Sequence, residues 1–141
     1  LPKTCDFSFS GVKTAVINYV HKLKQNGETV PVENICASVQ TQVVDELVKK
    51  CMYACKKYRV NTLVVGGGVS ANSALRRKLQ EEGEKNGVAI YFPEIKLTGD
   101  NGAMIASEGY FQIISGYGLA GLDLSPAPNI NLKWERRKEK F

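Results

Sequence analysis

Residues Asn61–Arg76, NTLVVGGGVSANSALR, decide the fold of this chain. Thr62–Val65 is a short, β-branched run that lies directly before three glycines, and this pattern predicts a buried parallel strand. Gly66–Gly68 allow a tight turn because glycine has no Cβ atom. Ser70 is then the candidate N-cap of a helix, whose predicted inner face consists of Ala71, Ala74, Leu75 and Leu79. The stretch therefore predicts a strand, a glycine turn and a helix.

This arrangement directs backbone N–H groups and the positive end of a helix dipole at the space above the turn, which favours an anionic or nucleotide ligand. Two other interpretations of the same residues stay open. The glycines can serve only to let the helix pack close to the strand. Gly66-x-Gly68-x-x-Ala71 also fits the dinucleotide fingerprint, and Glu94, which follows the apolar run Val88–Phe92, is then the candidate ribose-binding acid.

The composition is that of a globular protein of ordinary size. The chain has 141 residues, of which 43% are hydrophobic and 23% charged, enough for one domain with a core. We find neither a bilayer-spanning apolar run nor a signal-peptide core, so we expect a cytoplasmic protein with no membrane partner. The net charge is +5, and residues 126–141 form a basic, irregular tail around Trp134. Such a tail can contact nucleic acid or simply be solvated.

The cysteines and the single histidine give no independent sign of a metal site. Four cysteines are present without a C-x-x-C pair, and we expect reduced thiols. Cys51 and Cys55 lie one helical turn apart, a spacing that suits small buried side chains of a core-facing helix. His21 has no partner histidine, so we predict a surface or capping role.

Along the chain, strand and helix patterns alternate. Asp6–Ser10 alternates apolar and polar residues and predicts a first strand, and Val12–Gln25 follows as a helix. A longer helix starts near Pro31–Glu33 and ends near Tyr58, with an apolar face of Ile35, Val39, Val43, Leu47 and Met52. After the glycine unit, whose helix ends around Glu84–Gly87, Val88–Phe92 predicts a strand that Pro93 stops.

The last predicted helix starts at Asp100 as N-cap and ends at about Ser115. Alternating strands and helices predict an α/β fold with a small parallel sheet packed against helices. Because the first strand comes at the very start of the chain, the predicted sheet is incomplete, and we expect a piece of a longer protein.

Three motifs together carry a resemblance to a known family. They are DFSFSGVKTA at Asp6–Ala15, GGGVSANSALR at Gly66–Arg76 and GDNGAMIA at Gly99–Ala106, in the family's own order. The chain resembles the C-terminal part of the tRNA threonylcarbamoyladenosine transferase family of the TsaD type, formerly called O-sialoglycoprotein endopeptidase or glycoprotease. The likeness extends to about Asn131.

The resemblance implies one lobe of an actin-like ATPase fold, which sugar kinases and heat-shock chaperones share. It also implies an adenylate or ATP-type nucleotide as ligand, bound by Gly66, Gly67, Gly68 and Asn72. Asp100 corresponds to the family's metal-binding aspartate, a ligand of one divalent metal, iron or zinc. The two histidine ligands lie in the other half of the family's sequence. The chain also has no protease nucleophile arrangement and no H-E-x-x-H motif, which counts against proteolysis.

For the whole protein the resemblance implies transfer of threonylcarbamoyl from threonylcarbamoyl-adenylate to tRNA. The implied partners are tRNA, accessory proteins of the tRNA-modification pathway and a homologous subunit. We assign no catalytic residue to this chain and expect it to be inactive alone. The predicted organisation is a C-terminal lobe at 1–125, with an incomplete subdomain at 1–60, the nucleotide unit at 61–115, and the tail at 126–141. An NAD-binding domain and a non-catalytic interaction module remain the alternatives.

Overall fold

A computed structural model describes residues 4–116 and 120–125, and the predicted tail at 126–141 lies outside the described residues. The described chain divides into two compact units, one ending at Asp100 and the other starting at Asn101. In chain order its elements are α1 (Phe9–Gln25), α2 (Val32–Tyr58), β1 (Thr62–Val64), a 3₁₀ turn (Gly68–Ala71), α3 (Ser73–Asn86), β2 (Ala89–Tyr91), a second 3₁₀ turn (Ile95–Leu97) and α4 (Gly102–Ile114). The α/β class with a small parallel sheet is confirmed.

The first predicted strand is wrong. Residues 6–8 have no regular structure, and Phe9 and Ser10 already belong to α1. Five alternating residues are too few to distinguish the two periods, because Phe9 also continues the helical series of Val12 and Val16. Ser8, in the N-cap position, has the extended backbone (φ −123°) that helix entry requires. The helix therefore starts three residues before its predicted beginning.

The long helix α2 is confirmed, but its most buried face lies one residue further along than predicted. Val44, Val48 and Cys55 are buried, whereas Val43 and Leu47 are only half-buried. Adjacent apolar residues in V-V and L-V pairs leave the choice of face to the packing partner. The helix ends at Tyr58, and its C-cap residue Arg59 takes the left-handed conformation at φ 55°. The N–H of Val60 donates to the Cys55 carbonyl at 3.0 Å and closes this end.

The sheet consists of β1 and β2, which pair in parallel with Leu63 opposite Ile90. Helix α3 connects them, so the three elements form a β-α-β unit, the connection that parallel neighbours need. Leu63 and Ile90 pack against the core, whereas Val64 and Tyr91 are 75% and 59% exposed on the opposite face. Among the described residues of the first unit, helices therefore cover one face of this sheet, and the side chains of the other face are exposed.

The core of the first unit lies between α2, α3 and the sheet. Val44 and Val48 of α2 meet Leu75 and Leu79 of α3, and Leu79 is only 1% exposed. Burying one such side chain stabilises the fold by about 1.5–3 kcal/mol. Helix α3 can approach the sheet closely because of Gly83, which is buried where α3 passes β2. The predicted end of α3 is confirmed, since Gly87 follows it at φ 67°.

The second unit contains α4. Its N-cap is Asn101, whose side-chain oxygen accepts a hydrogen bond from the Met104 N–H at 3.0 Å. The prediction that Asp100 caps this helix is therefore wrong by one residue, although the helix itself is confirmed. Within the part of the chain that the structure describes, no helix has the length and apolarity to cross a membrane.

Candidate nucleotide-binding site

The glycine turn follows the carboxyl end of β1. Gly67 has φ 87°, a conformation that favours glycine, and it is the only one of the three with a positive φ. A Cβ atom at Gly66, Gly67 or Gly68 would meet no described atom within 4 Å. The glycines therefore do not make room for the helix, and the interpretation that they serve only helix–strand packing is wrong for these positions.

The chain leaves this turn through a 3₁₀ turn rather than directly into a helix. The Ser70 N–H donates to the Gly67 carbonyl at 2.9 Å, and the Asn72 N–H donates to the Val69 carbonyl at 3.0 Å. Among the described residues, none accepts a hydrogen bond from the N–H groups of Gly66–Gly68. Consecutive free N–H groups at a glycine turn are suited to holding the oxygens of a phosphate.

Ser70 is not the N-cap of α3, contrary to the sequence prediction. It lies inside the 3₁₀ turn, it is 1% exposed, and its Oγ has no hydrogen-bond partner among the described residues. The helix starts at Ser73, after one additional turn of chain. The extra turn moves the cap to Asn72 because only that residue has the extended backbone (φ −65°, ψ 120°) that precedes α3.

Asn72 uses both ends of its amide within the protein. Its Oδ1 accepts from the Leu75 N–H at 2.9 Å, and its Nδ2 donates to Oε1 of Gln40 in α2 at 3.2 Å. An amide nitrogen has two donor hydrogens, so one remains for a ligand. The half-buried side chain is thus held between two helices beside the glycine turn.

Arg76 braces the turn, a role that the sequence analysis missed. Its Nε donates to the Ser70 carbonyl at 2.6 Å and its Nη2 donates to the Pro93 carbonyl at 2.8 Å. The guanidinium also lies over the Phe92 ring, 4.8 Å from the ring centre. Stacking and charge-assisted hydrogen bonds of this kind are the contacts that arginine makes best. The only sequence signal was an arginine one helical turn after Asn72.

Asp100 is exposed at the end of the first unit. Within the described ranges, no group of three or more histidine, cysteine, aspartate or glutamate side chains is close enough to hold a metal ion. An iron or zinc site in a protein takes at least three such ligands. Asp100 is therefore a single candidate ligand, and the described residues do not by themselves fit a metal site.

The structure also locates the other residues singled out from the sequence. Glu94 is exposed and pairs with Lys96 at 2.8 Å. The four cysteines are free thiols, and Cys51 and Cys55 face the interior as predicted. Burial raises the pKa of the Cys51 and Cys55 thiols. His21 lies exposed on α1.

The β-α-β unit with its braced glycine turn defines an α/β protein with a small parallel sheet. Comparison with known families is more specific. The model of the family described as "TsaD: tRNA N6-adenosine threonylcarbamoyltransferase" matches residues 1–107. The chain belongs to this family, and the resemblance that the three motifs carry is confirmed.

Individual relatives agree with this assignment. A protein of Dictyoglomus turgidum named tRNA N6-adenosine threonylcarbamoyltransferase is 46% identical over 127 residues, 90% of this chain and 38% of its own length. Proteins of the same name from Bifidobacterium longum and Clostridium perfringens are 53% and 41% identical, over 74% and 92% of this chain. The chain spans between 30% and 38% of the length of these relatives.

Proposed function

We propose that this chain is the nucleotide- and metal-binding C-terminal part of an enzyme that transfers threonylcarbamoyl from threonylcarbamoyl-adenylate to the adenosine beside the anticodon of tRNA. The observation that carries the proposal is the glycine turn of a TsaD-family chain. It leaves three N–H groups free among the described residues and has open space above it. We extend the proposal to the fold, as part of one lobe of an actin-like ATPase.

In this proposal the residues around the turn bind and orient the adenylate. The N–H groups of Gly66–Gly68 donate to ligand oxygens, and the second Nδ2 hydrogen of Asn72 donates to the nucleotide. Arg76 keeps the turn in place, because it ties the Ser70 carbonyl to the end of β2. A turn that is fixed before the ligand arrives loses less conformational entropy on binding.

The reaction itself is an acyl transfer. The N6 amine of adenosine attacks the carbamoyl carbon, the bond from that carbon to the phosphate oxygen breaks, and AMP leaves while the amine loses a proton. Fixing the adenylate in one orientation raises the rate by holding the reacting atoms in place. Asp100 would supply one ligand to an iron or zinc ion, and the remaining ligands would come from outside the described residues. No group of this chain is assigned to proton transfer.

Several expectations belong to the same proposal. The whole protein would act with accessory proteins of the modification pathway and a homologous subunit, and this chain alone would be inactive. The family membership favours this function over the NAD-binding alternative. The described sheet has two strands, and β2 is followed by a 3₁₀ turn. A dinucleotide-binding domain needs further β-α units at this point.

Calorimetric titration of the chain with AMP, ATP and NAD tests the nucleotide site. The informative variant is Asn72→Asp, because aspartate keeps the oxygen that caps α3 but lacks the donor hydrogens. We expect adenylate binding to weaken about tenfold or more in this variant. The melting temperature should fall only slightly, because the protein hydrogen bond that is lost, from Asn72 to Gln40, is exposed. The matched control is Asn101→Asp, which makes the same change at the cap of α4 and is expected to bind as the parent does.

Two results would contradict the proposal. Tight binding of NAD together with weak binding of AMP would favour the dinucleotide domain. Equal AMP affinity of the parent chain and Asn72→Asp would remove Asn72 from the site.

A further inference from the structure

The basic residues of this chain are unevenly distributed. Between Leu47 and Gln80 the sequence has eight lysines and arginines and no aspartate or glutamate. This stretch comprises the second half of α2, β1, the glycine turn and the first half of α3. A concentration of positive charge without interspersed acids is the usual electrostatic sign of a surface for a polyanion.

Three of these cations form a group at the end of α2. Lys56, Lys57 and Arg59 have no carboxylate within salt-bridge distance among the described residues. Of the other five cations of the stretch, three are ion-paired: Lys50 with Glu46, Arg77 with Glu81, and Lys78 with Asp45. Arg76 donates to two backbone carbonyls instead, and Lys49, like the group, has no carboxylate within this distance among the described residues. The C-terminal dipole of α2 offsets only about half of one unit charge. The group therefore keeps a net charge above +2.

Aromatic rings lie among these cations. The Lys57 ammonium is 5.9 Å from the centre of the Tyr53 ring and 5.3 Å from that of Tyr58. The Tyr58 side chain is 64% exposed. Tyr53, Lys56 and Arg59 also line a cleft of about 690 Å³, together with the side chains of Asn61 and Asn86. Exposed aromatic rings beside cations and amides are what an unpaired RNA base and its phosphates need.

We infer that the basic-aromatic surface, defined as Tyr53, Lys56, Lys57, Tyr58 and Arg59, binds RNA through the phosphates and one unstacked base. The inference rests on the proposed function only in taking tRNA as the natural RNA. An acidic protein segment would satisfy the three cations. Such a segment would make no stacking contact with the exposed Tyr58 ring and would not need the amides that line the cleft. RNA can contact the cations, the ring and the amides, so we favour RNA.

This surface is separate from the glycine turn. Arg59 and Asn61 precede β1 and Val88 precedes β2, whereas the turn follows β1. In a parallel sheet these positions lie at opposite ends of the strands. At about 3.3 Å per residue, Asn61 and Gly66 are about 17 Å apart. A large RNA can contact the surface while its reacting adenosine is elsewhere, and each site can be changed without the other.

The test measures the affinity of the chain for a tRNA transcript by fluorescence anisotropy at several salt concentrations. The variant K56Q/K57Q/R59N removes three charges, and asparagine tolerates the left-handed conformation at position 59. The matched control K78Q/K85Q/K96Q also removes three charges, but each of these lysines is ion-paired. A third variant, Tyr58→Leu, removes the exposed ring without changing the charge.

We expect the surface variant to bind tRNA at least about tenfold more weakly than the parent chain in about 0.1 M salt. The slope of log affinity against log salt concentration should be smaller in magnitude by about 2 to 3. The control should retain the parent slope to within about 1. Tyr58→Leu should lose about fivefold at every salt concentration, because stacking does not release counterions.

The inference is overturned if the surface variant and the control lose affinity equally, or if the parent chain does not bind the transcript. An acidic protein partner would instead be indicated if the chain bound polyglutamate as tightly as tRNA and Tyr58→Leu did not change the polyglutamate affinity. AMP titration of the same variants separates the two proposals. Normal AMP binding with no RNA binding removes only the RNA surface, and the converse removes only the nucleotide site.

Discussion

Replacing Gly83 by alanine tests the closest approach between a helix and the sheet. A Cβ atom at this position would lie 2.6 Å from Cγ1 of Ile90 and 2.7 Å from the carbonyl oxygen of Val88. The Ile90 side chain can rotate away, but the Val88 backbone cannot move freely. Its N–H donates to the Gly83 carbonyl at 2.8 Å, in the turn that ends α3. The added methyl group must therefore push α3 away from β2.

Two opposing effects set the magnitude. Alanine is favoured over glycine by about 1 kcal/mol in a helix interior. Forcing an extra carbon into a packed site costs about 1–3 kcal/mol, and a backbone contact places this site in the upper part of that range. We expect Gly83→Ala to lower the free energy of unfolding by about 1–2 kcal/mol. For a domain of this size the melting temperature should fall by about 4 °C or more.

Thermal and urea unfolding followed by circular dichroism provide the measurement. Gly11→Ala is the matched control, because Gly11 is also helical and in the same unit, and a Cβ there meets nothing within 4 Å. The control should melt at the parent temperature or slightly higher. If Gly83→Ala is as stable as Gly11→Ala, α3 and β2 are further apart than the structure has them, and the expected loss of stability is refuted.

The remaining predictions concern buried polar groups. Ser70→Ala should leave the melting temperature unchanged or raise it, because an unpaired buried hydroxyl costs about 1–3 kcal/mol. A loss above about 1 kcal/mol would show that the hydroxyl has a partner outside the described residues. Cys51 and Cys55 should react with iodoacetamide at pH 8 more slowly than the two exposed cysteines, since burial raises their pKa and the thiolate is the nucleophile. For the same reason the folded state should lose stability as the pH rises above the ordinary thiol pKa, where only the unfolded chain ionises. Equal alkylation rates, or a melting temperature that is flat above pH 9, would contradict this prediction.

Local patterns predicted the elements that have strong periodicity. The long helix α2, the positions of the two short strands and the end of α3 at Gly87 agree with the sequence analysis. These features are fixed by nearby residues, namely a long apolar repeat, β-branched runs, and a glycine that can take a positive φ. The parallel pairing also followed, because a helix of 14 residues separates the strands. The prediction that the first of these strands, β1, is buried is wrong, because Val64 is 75% exposed.

The two helix caps could not be chosen from the sequence. Ser70, Asn72 and Ser73 lie close together, as do Asp100 and Asn101, and these residue types cap helices about equally well. The choice depends on where the chain stops turning, and a 3₁₀ turn shifted the first cap to Asn72. The strand predicted at Asp6–Ser10 was wrong for a related reason, since a five-residue alternation is also compatible with the first turn of α1.

The candidate site was predicted only in part. The glycine turn was predicted from its own residues and Asn72 from the family resemblance, and their ligand roles stay predictions. The bracing by Arg76 depends on Pro93, 17 residues further along, which no local pattern reveals. The sequence also did not predict the group of cations at the end of α2, because which lysines and arginines have acidic partners depends on how the neighbouring helices pack.

The two hydrogen bonds of Arg76 have a mechanical consequence for the rest of the first unit. One guanidinium fixes both the chain that leaves the glycine turn and the chain that leaves β2. From Pro93 the backbone reaches Asp100 within seven residues, through a 3₁₀ turn in which the Thr98 hydroxyl donates to the Ile95 carbonyl at 2.8 Å. Arg76 therefore fixes the position of the glycine turn and also that of the segment leading to the Asp100 carboxylate. A displacement of the turn is transmitted through Arg76 to the segment that leads to Asp100, so that substitutions at Arg76 would alter the glycine turn and the position of Asp100 together.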